Sequence, residues 1–540
     1  MTHSSSIHAT FFRTLPLAAA CILTAAGARA DVKLSPPFGD HMVLQREMRV
    51  PVWGTADPGE KVTVTLADRT AIAVASAEGR WKLSLPPMRA GGPFTMTVTG
   101  KNTVSITAVL VGEVWLCSGQ SNMEFTLDRA TGGIDEAAAA NDPQLRMLTV
   151  GGKLAYQPEQ SVGGEWKVVN PQTAPKMSAV GYFFGKELRK RLGVPVGLIN
   201  ASMGWTPAES WVSREAMMAD PELKHDIVDR WDFWIQQFPR AQAFYQKKLA
   251  DWKVEDDAAK AAGKPEPAQP KAPSSPEFSH RASCLFNGMI APLIPYAMRG
   301  VIWWQGETNV ERGYQYRKLF PALIRDWRQR WGQGDFPFLF VQLAAVGDWT
   351  PDPAGSRWSE LREAQAMTAR DVPRTGMVVA LDVGEKKDVH PKNKREIGRR
   401  LALAALAVAY HQKVAYSGPV YQSMKVDGDR IRIQFTGSDR GLATAGGEPL
   451  TGFTVAGADR VFHPAAAVIE GGAVVVSSKD VPEPAAVRYA WLDFPTANLT
   501  DSTGLPASPF RTDDWPGITS GFTKTFWDQV GIDDETMTTP

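Results

Sequence analysis

Cysteine is scarce in this chain, with 3 residues among 540. Cys21 lies within the first 30 residues, so Cys117 and Cys284 are the two that remain beyond that segment. Neither belongs to a Cys/His cluster with metal-ligand spacing, and two cysteines cannot build a disulfide-rich scaffold. We therefore expect no metal site, and we expect Cys117, inside an apolar run, to be a buried free thiol.

An excess of either charge is also missing, since 59 Lys and Arg stand against 58 Asp and Glu. This balance gives no support for binding nucleic acid or an anionic membrane. No apolar run is long enough to span a bilayer. The apolar segment 14–26 follows Arg13 and precedes an A-x-A site ending at Ala30, as in a signal peptide. We expect cleavage near Ala30 and export to the periplasm or out of the cell.

Three compositional regions follow the predicted signal peptide of residues 1–30. A chain of 540 residues predicts roughly two to four domains. Residues 31–109 contain short strands of period two between Gly and Pro turns, which predicts an N-terminal β-domain. Pro51 in the run 49–53 indicates an edge strand at best. Residues 415–540 return to the same pattern and predict a C-terminal β-domain.

The central region, residues 110–414, alternates strand-like and helical runs, which predicts an α/β domain with a parallel sheet. The strand-like runs are 111–117, 196–200, 299–304, 337–343 and 376–381, and the helical runs include 179–192, 314–331 and 392–411. Residues 214–283 form a helical, then Pro-rich insertion in this domain. The insertion is either a lid over the site or an excursion on the surface.

The strand at 111–117 ends in Ser118-Gly119-Gln-Ser121, where the chain must turn before a helix begins. A serine at a strand-to-helix turn is held out of the core near the positive end of the helix, which suits a nucleophile. The same residues also make a common turn and helix cap, so Ser121 needs a base and oxyanion donors elsewhere in the chain.

His390 is the histidine that best fits the role of base. It lies on a polar loop after the strand 376–381, and Asp388, two residues earlier, can orient its ring. The alternative is a histidine that only caps the helix that follows.

Two further loops follow predicted strands and carry candidate oxyanion donors. One contains Gly204, where the backbone can approach a ligand closely, and the other contains Gln305 and Glu307. The alternative for Glu307 is a structural role that holds its loop together. Because open sheets bind ligands at the carboxyl ends of their strands, we expect these loops to meet there.

Taken together, four motifs resemble the blocks of the SGNH hydrolases, and more narrowly those of the sialate O-acetylesterase-like carbohydrate esterases. The motifs are 119–123 (Gly-Gln-Ser-Asn-Met), the loop at Gly204, 304–307 (Trp-Gln-Gly-Glu) and 388–391 (Asp-Val-His-Pro). Segments 38–46 and 504–515 are similar to the opening and closing signatures of that family. The resemblance implies a three-layer α/β/α sandwich with a parallel sheet, flanked by the two β-domains.

The resemblance also implies roles for individual residues. Ser121 is then the nucleophile, His390 the base and Asp388 the acid, while the N–H groups of Ser121 and Gly204 bind the oxyanion. Two departures leave alternatives. Lys387 stands where the family pattern has its acid, so Glu385 competes with Asp388. The block that normally supplies an asparagine offers Gln305, with Asn309 as the fallback. We expect substrate contacts from the remaining motif residues, Gln120, Asn122, Trp205, Trp304 and Glu307.

The function implied is hydrolysis of acetyl esters on sugar hydroxyls, without metal or cofactor. The substrate is either O-acetylated sialic acid or an acetylated hemicellulose such as xylan or xyloglucan. The 18 tryptophans, including four near the site loops, favour neutral sugar faces. Two other interpretations are a non-catalytic carbohydrate-binding protein with a dead esterase centre and an esterase or lipase for longer acyl chains. The sequence gives no oligomeric state.

Overall fold

The computed structural model describes residue 1 and residues 31–34, 36–347, 355–437 and 440–521. Apart from Met1, the predicted signal peptide with its cleavage point at Ala30 lies outside the described residues. Within the described part of the chain, no helix is both long and apolar enough to cross a membrane.

The N-terminal strands follow the period-two pattern of the sequence. Val62, Val64 and Leu66 are buried, while the residues between them face outward. The strands are β1 (Lys33–Leu34), β2 (Val43–Gln45), β3 (Val50–Thr55), β4 (Lys61–Leu66), β5 (Arg69–Val74), β6 (Arg80–Leu85), β7 (Gly91–Thr99) and β8 (Thr103–Gly119).

The expectation that Pro51 restricts its strand to a sheet edge was wrong, because β3 lies between β1 and β6. Pro51 pairs with Ser84 of β6, whereas the two-residue β1 reaches only Gly54 and Thr55. On the β1 side, no strand lies opposite Pro51. The N–H that proline lacks is therefore not needed for strand pairing there.

The long strand β8 belongs to both the N-terminal region and the central domain. Its first part, up to Gly112, pairs with β7 and β2. From Glu113 to Gly119 it pairs in parallel with strands of the central sheet. The domain boundary predicted at residue 109/110 therefore falls inside one continuous strand.

Strands and helices alternate in the central region, as the sequence predicts. The elements are α1 (Ser121–Glu124), α2 (Gly133–Ala138), β9 (Asp142–Thr149), β10 (Trp166–Val169), α3 (Ala179–Leu192), β11 (Val196–Ser202), α4 (Arg214–Met218), α5 (Pro221–Leu223), α6 (Arg230–Ala261), β12 (Gly300–Trp304), α7 (Gly313–Trp331), β13 (Phe338–Val341), α8 (Arg357–Asp371), β14 (Thr375–Val378) and α9 (Lys394–Val408).

The central strands lie in the order β10-β9-β11-β8-β12-β13-β14. Only β10, at one edge of this path, is antiparallel to its neighbour. Alternate residues along the strands are buried in two different hydrophobic cores. Val114 and Leu116 pack with α7 and α8, while Trp115 and Cys117 pack with α3 and α9. Helices thus cover both faces of this α/β sheet, and the buried Cys117 is a free thiol, as expected.

The predicted insertion lies between β11 and β12. Its main helix, α6, is largely exposed and buries only Trp231, Trp234 and Asp256. The Pro-rich segment runs back along this helix, where Trp252 Nε1 donates to the carbonyl of Pro267 at 2.9 Å. The insertion is therefore a helix followed by an extended, Pro-rich segment that packs back against it.

The C-terminal region is built of antiparallel strands. They are β15 (Val420–Asp427), β16 (Arg430–Thr436), β17 (Leu442–Thr444), β18 (Phe453–Ala456), β19 (His463–Pro464), β20 (Ala466–Glu470), β21 (Ala473–Ser477), β22 (Ala486–Tyr489), β23 (Leu499–Asp501) and β24 (Phe510–Arg511). Arg362 of α8 attaches this region to the central domain. Its fully buried guanidinium donates to the carbonyls of Leu343, Ala344, Leu492 and Asp493.

Candidate active site

The turn after β8 packs closely against the neighbouring strand β12. Gly119 has φ +134°, and a Cβ at this position would lie 2.1 Å from the carbonyl oxygen of Trp304. Only glycine fits such a close approach with a positive φ. Gln120 N–H donates to the same carbonyl at 2.9 Å, and α1 begins at the next residue, Ser121. The strand-to-helix turn predicted around Ser121 is therefore present.

Three side chains predicted to act together form a hydrogen-bonded chain. Ser121 Oγ lies 2.8 Å from Nε2 of His390, and Nδ1 of His390 lies 2.8 Å from Oδ1 of Asp388. The backbone N–H of His390 donates to the same Asp388 oxygen at 2.9 Å. Burial of Asp388 opposes its charge, but these hydrogen bonds from His390 outweigh it and hold the pKa of Asp388 below its ordinary value. Asp388 is thus suited to orient the ring and to stabilise an imidazolium.

The alternative acid, Glu385, has a different partner. Its Oε1 accepts a hydrogen bond from the backbone N–H of Lys392 at 2.8 Å. The structure therefore brings Asp388, and not Glu385, to the imidazole ring.

Gly204 lies next to Ser121, as predicted. A Cβ built on Gly204 would be 3.4 Å from Cβ of Ser121. Its N–H, however, donates to Oε2 of the exposed Glu124 at 2.7 Å. The N–H of Ser121 donates no hydrogen bond among the described residues. The two backbone groups lie at one place, and their role as oxyanion donors stays a prediction.

The prediction of Gln305 as a side-chain oxyanion donor was wrong. Gln305 is completely buried, and its amide donates to the carbonyl of Thr206 at 3.2 Å and to Asn309 Oδ1 at 2.6 Å. Asn309, the fallback, is also buried and donates to Glu209 Oε2 at 3.0 Å. Both amides bind the loops after β11 and β12 to each other, so neither is free to donate to a group bound at Ser121.

Two predicted substrate contacts, Asn122 and Trp304, are buried inside the site, and a third, Glu307, is partly buried. Asn122 and Trp304 have no exposed surface, so neither can touch a sugar, and that prediction was wrong for both. Glu307 accepts a hydrogen bond from Asn122 Nδ2 at 2.6 Å, and its Oε2 is buried without a partner in the described residues. Burial raises the pKa of this carboxyl.

Gln120 and Trp205, the other predicted contacts, stay candidates for substrate binding. The amide nitrogen of Gln120 donates no hydrogen bond to the described residues, while its oxygen accepts the N–H of Gly306 at 3.3 Å. Trp205 is 59% exposed and has φ +55°. Two residues at the end of the insertion contact it: the ring centroids of Phe278 and His280 lie 5.6 and 4.8 Å from its own. The return of the insertion thus reaches the edge of the site.

Three residues that contribute to the site were missed from the sequence. Glu124 covers the N–H of Gly204, the exposed Arg129 lies over the ring of Phe125, and the buried Lys394 bonds to Asn122. The first two follow Ser121 in what looks like an ordinary amphipathic segment. Lys394 looks like the polar start of a helix. The partners of Glu124 and Lys394 are distant in the sequence, so no local pattern marks these two residues. The contact of Arg129 with Phe125, four residues earlier, looks like an ordinary helical pair.

The arrangement is suited to acyl transfer. A hydroxyl lies on the imidazole that would take its proton, a carboxylate supports that imidazole, and backbone N–H groups lie beside the hydroxyl. Among the described residues, no group of three or more His, Cys, Asp or Glu is placed to hold a metal ion.

Comparisons with known proteins also point to an esterase. A family model described as a carbohydrate esterase, sialic acid-specific acetylesterase, matches residues 281–407. The sialate O-acetylesterase of Rattus norvegicus is 30% identical over 441 residues, covering 74% of this chain and 78% of the relative. The human sialate O-acetylesterase is 30% identical and covers 72% and 73%, respectively. The crystal structure of a carbohydrate acetylesterase from Xanthomonas citri gives a TM-score of 0.76 at 38% identity, over 90% of this chain and 100% of that one.

Proposed function

Because the chain belongs to the sialate O-acetylesterase family of carbohydrate esterases, and is thus a carboxylic ester hydrolase, we propose that Ser121 removes acetyl groups from sugar hydroxyls through an acetyl-enzyme. The observation that carries this proposal is the continuous chain from Ser121 Oγ through His390 to Asp388, with both links at 2.8 Å.

In the first half-reaction, Ser121 Oγ attacks the acetyl carbonyl carbon while His390 Nε2 takes the serine proton. The tetrahedral oxyanion is bound by backbone N–H groups, for which Ser121 and Gly204 are the candidates. His390 then returns the proton to the leaving sugar oxygen. Water, activated by His390, hydrolyses the acetyl-enzyme and releases acetate.

The fold that we infer is the three-layer SGNH type, with β-domains at 31–109 and 415–540 and an insertion at 214–283. The parallel central strands with helices on both faces support it. Export after cleavage near Ala30 belongs to the same proposal and rests on the sequence pattern alone.

For the glycan, we favour a neutral hemicellulose-type chain such as xyloglucan or xylan. This choice now rests on fewer aromatic residues than the sequence suggested. Trp211, Trp303 and Trp304 are fully buried, which leaves Trp205 as the exposed tryptophan of the site loops. An exposed indole beside the nucleophile is suited to the apolar face of a sugar ring.

O-acetylated sialic acid is the second candidate, and Arg129 favours it. Its guanidinium carbon lies 4.4 Å from the centroid of Phe125, whose ring lies 6.3 Å from that of His390. Arg129 is exposed and forms no ion pair with the described residues. An arginine placed in this way can bind the carboxylate of an acidic sugar.

The mechanism is tested with Ser121→Ala and His390→Ala on a chromogenic acetyl ester, and turnover near wild type in either variant would overturn it. Covalent labelling of Ser121 by a fluorophosphonate excludes a non-catalytic binding protein. Comparing acetyl with octanoyl esters tests the long-chain alternative. The glycan is tested by acetate release from acetylated xyloglucan, xylan and sialic acid, with Arg129→Gln as the discriminating variant. Loss confined to the sialate would favour the second candidate.

A further inference from the structure

A buried polar cluster lies directly behind the nucleophile and takes no part in the proposed proton transfers. It consists of Asn122, Glu307 and Lys394, from the α1 turn, the loop after β12 and the start of α9. Asn122 and Lys394 have no exposed surface. Such a group is expensive to bury, so its contacts need a physical reason.

Lys394 has unusual surroundings for an ammonium. Its Nζ donates to Oδ1 of Asn122 and otherwise lies over two rings, 4.2 Å from the centroid of Trp304 and 4.7 Å from that of Phe125. Burial lowers the pKa of Lys394 to about 7, and Glu307 partly opposes that shift. Packing alone does not require a charge here, because an unbranched apolar side chain would fill the same space between the rings.

The contact with Lys394 fixes which way the Asn122 amide faces. With its oxygen bound to the ammonium, the nitrogen must point the other way. There it donates to Glu307 Oε1 at 2.6 Å and to the carbonyl of Val389 at 2.9 Å. Val389 immediately precedes His390, and Asn122 immediately follows Ser121. The Asn122 amide therefore links the position next to Ser121 to the backbone next to His390.

A second route leads from Lys394 to the base through an aromatic ring. The ring of Phe125, which the ammonium contacts, is stacked near His390 with an interplanar angle of 29°. The same lysine thus supports His390 through its backbone, by way of Asn122, and through its ring, by way of Phe125.

We infer that Lys394 is a positioning residue for the hydrolysis proposed above. Through Asn122 and Phe125 it keeps His390 Nε2 on Ser121 Oγ. The inference rests on the proposed function, because it assigns a task to the same Ser121–His390 pair. Displacing a catalytic group by about 1 Å typically costs on the order of 100-fold in rate.

The test is Lys394→Met, which keeps length and apolar packing but removes the donor to Asn122. We expect kcat on the chromogenic acetyl ester to fall about 30-fold, with KM changed less than about threefold. Thermal stability should fall somewhat, because Asn122 Oδ1 is left buried without its donor, so kcat is counted per folded active site. A purely structural role predicts the same loss of stability with unchanged kcat per folded molecule.

Arg328→Met serves as the matched control. Arg328 is a buried cation on α7, and it donates to the carbonyls of Phe336 and Arg374 at the amino ends of β13 and β14. It therefore lies at the opposite edge of the sheet from the site. We expect this variant to lose stability and to keep its kcat.

If Lys394→Met does not fold, Asn122→Ala is assayed in its place and judged by the same criterion. This variant removes the hydrogen bonds to Glu307 and to the carbonyl of Val389 at once. A kcat within twofold of wild type in the folded variant, counted per active site by fluorophosphonate titration, overturns the inference. Failure of the inference is distinguishable from failure of the proposed function: an inactive Ser121→Ala with an unaffected Lys394→Met rejects the positioning role alone.

Discussion

The backbone N–H of Gly204 donates to the carboxylate of Glu124 at 2.7 Å, on the same side of the turn as Ser121. This N–H is the predicted second donor to the oxyanion, so a carboxylate of the protein occupies it in this structure. If Gly204 binds the oxyanion as proposed, a substrate carbonyl must first displace Glu124.

Removal of that carboxylate should therefore help the reaction. We expect Glu124→Ala to raise kcat/KM on a small acetyl ester about threefold to tenfold, because the donor is free and a like charge near the oxyanion is gone. Asp128→Ala is the control, since Asp128 lies on the same segment but pairs with Lys176. A drop in kcat/KM for Glu124→Ala would show that the carboxylate assists catalysis instead.

The assignment of the acid leads to a second prediction. Asp388→Asn keeps the size of the side chain but removes the charge that supports the imidazolium, and we expect kcat to fall on the order of 100- to 10,000-fold. Glu385→Gln should stay within about threefold, because Glu385 bonds to the backbone of Lys392. Steady-state kinetics of the two purified variants separate these roles, and the reverse ranking would reassign the acid.

Trp205 provides a test of glycan contact that is independent of the chemistry. We expect Trp205→Ala to raise KM for the acetylated glycan about tenfold, equivalent to about 1.4 kcal/mol. The small chromogenic ester has no sugar ring to pack against the indole and should be hydrolysed as before. Phe244→Ala is a control for loss of an exposed aromatic side chain, because Phe244 is 44% exposed on α6. Equal effects on both substrates would contradict a contact with the sugar.

A pH-dependent effect on stability is expected from Glu113. Burial opposes its charge, but hydrogen bonds and the nearby charge of Arg299, together with hydrogen bonds from Arg46 and Gln45, hold the pKa of Glu113 below its ordinary value. A carboxyl with a depressed folded pKa stabilises the protein above its unfolded pKa, and this contribution disappears as the pH falls through the folded pKa.

Glu113→Gln should therefore lower the free energy of unfolding by about 3 kcal/mol near neutral pH. The difference from wild type should shrink as the pH falls below the ordinary glutamate range and through the lowered folded pKa, where the wild-type carboxyl also becomes protonated. Urea unfolding of both proteins across this range measures it. A difference that does not depend on pH would mean that shape, and not charge, is what Glu113 contributes.

The hydrogen-bonded arrangement of Ser121, His390 and Asp388 could be predicted from the sequence because its signals are local. Asp388 and His390 are two residues apart, and Ser121 stands where a strand must turn. Helix α3 was predicted at its observed bounds for a similar reason: Ser178 accepts a hydrogen bond from Gly181 N–H at its start, and Gly193 ends it with φ +66°.

The environment of those residues could not be predicted in the same way. Whether Trp304 faces a sugar or the core depends on the helices packed over β12, which local sequence does not specify. Gln305 looks like a free donor until Thr206 and Asn309 are brought beside it. The same holds for Lys394, whose partner Asn122 is 272 residues away in the chain.

The shared strand β8 limits how this enzyme can be divided. Cutting the chain between the N-terminal β-region and the esterase core would divide a single strand. The core would keep a part of β8 with a free end below Ser121 and would lose the part that pairs with β2 and β7. The N-terminal region therefore cannot be exchanged or removed as a cassette. Attempts to graft another glycan-recognition unit onto this scaffold should use the insertion between β11 and β12, whose main helix is mostly solvent-facing and interrupts no strand.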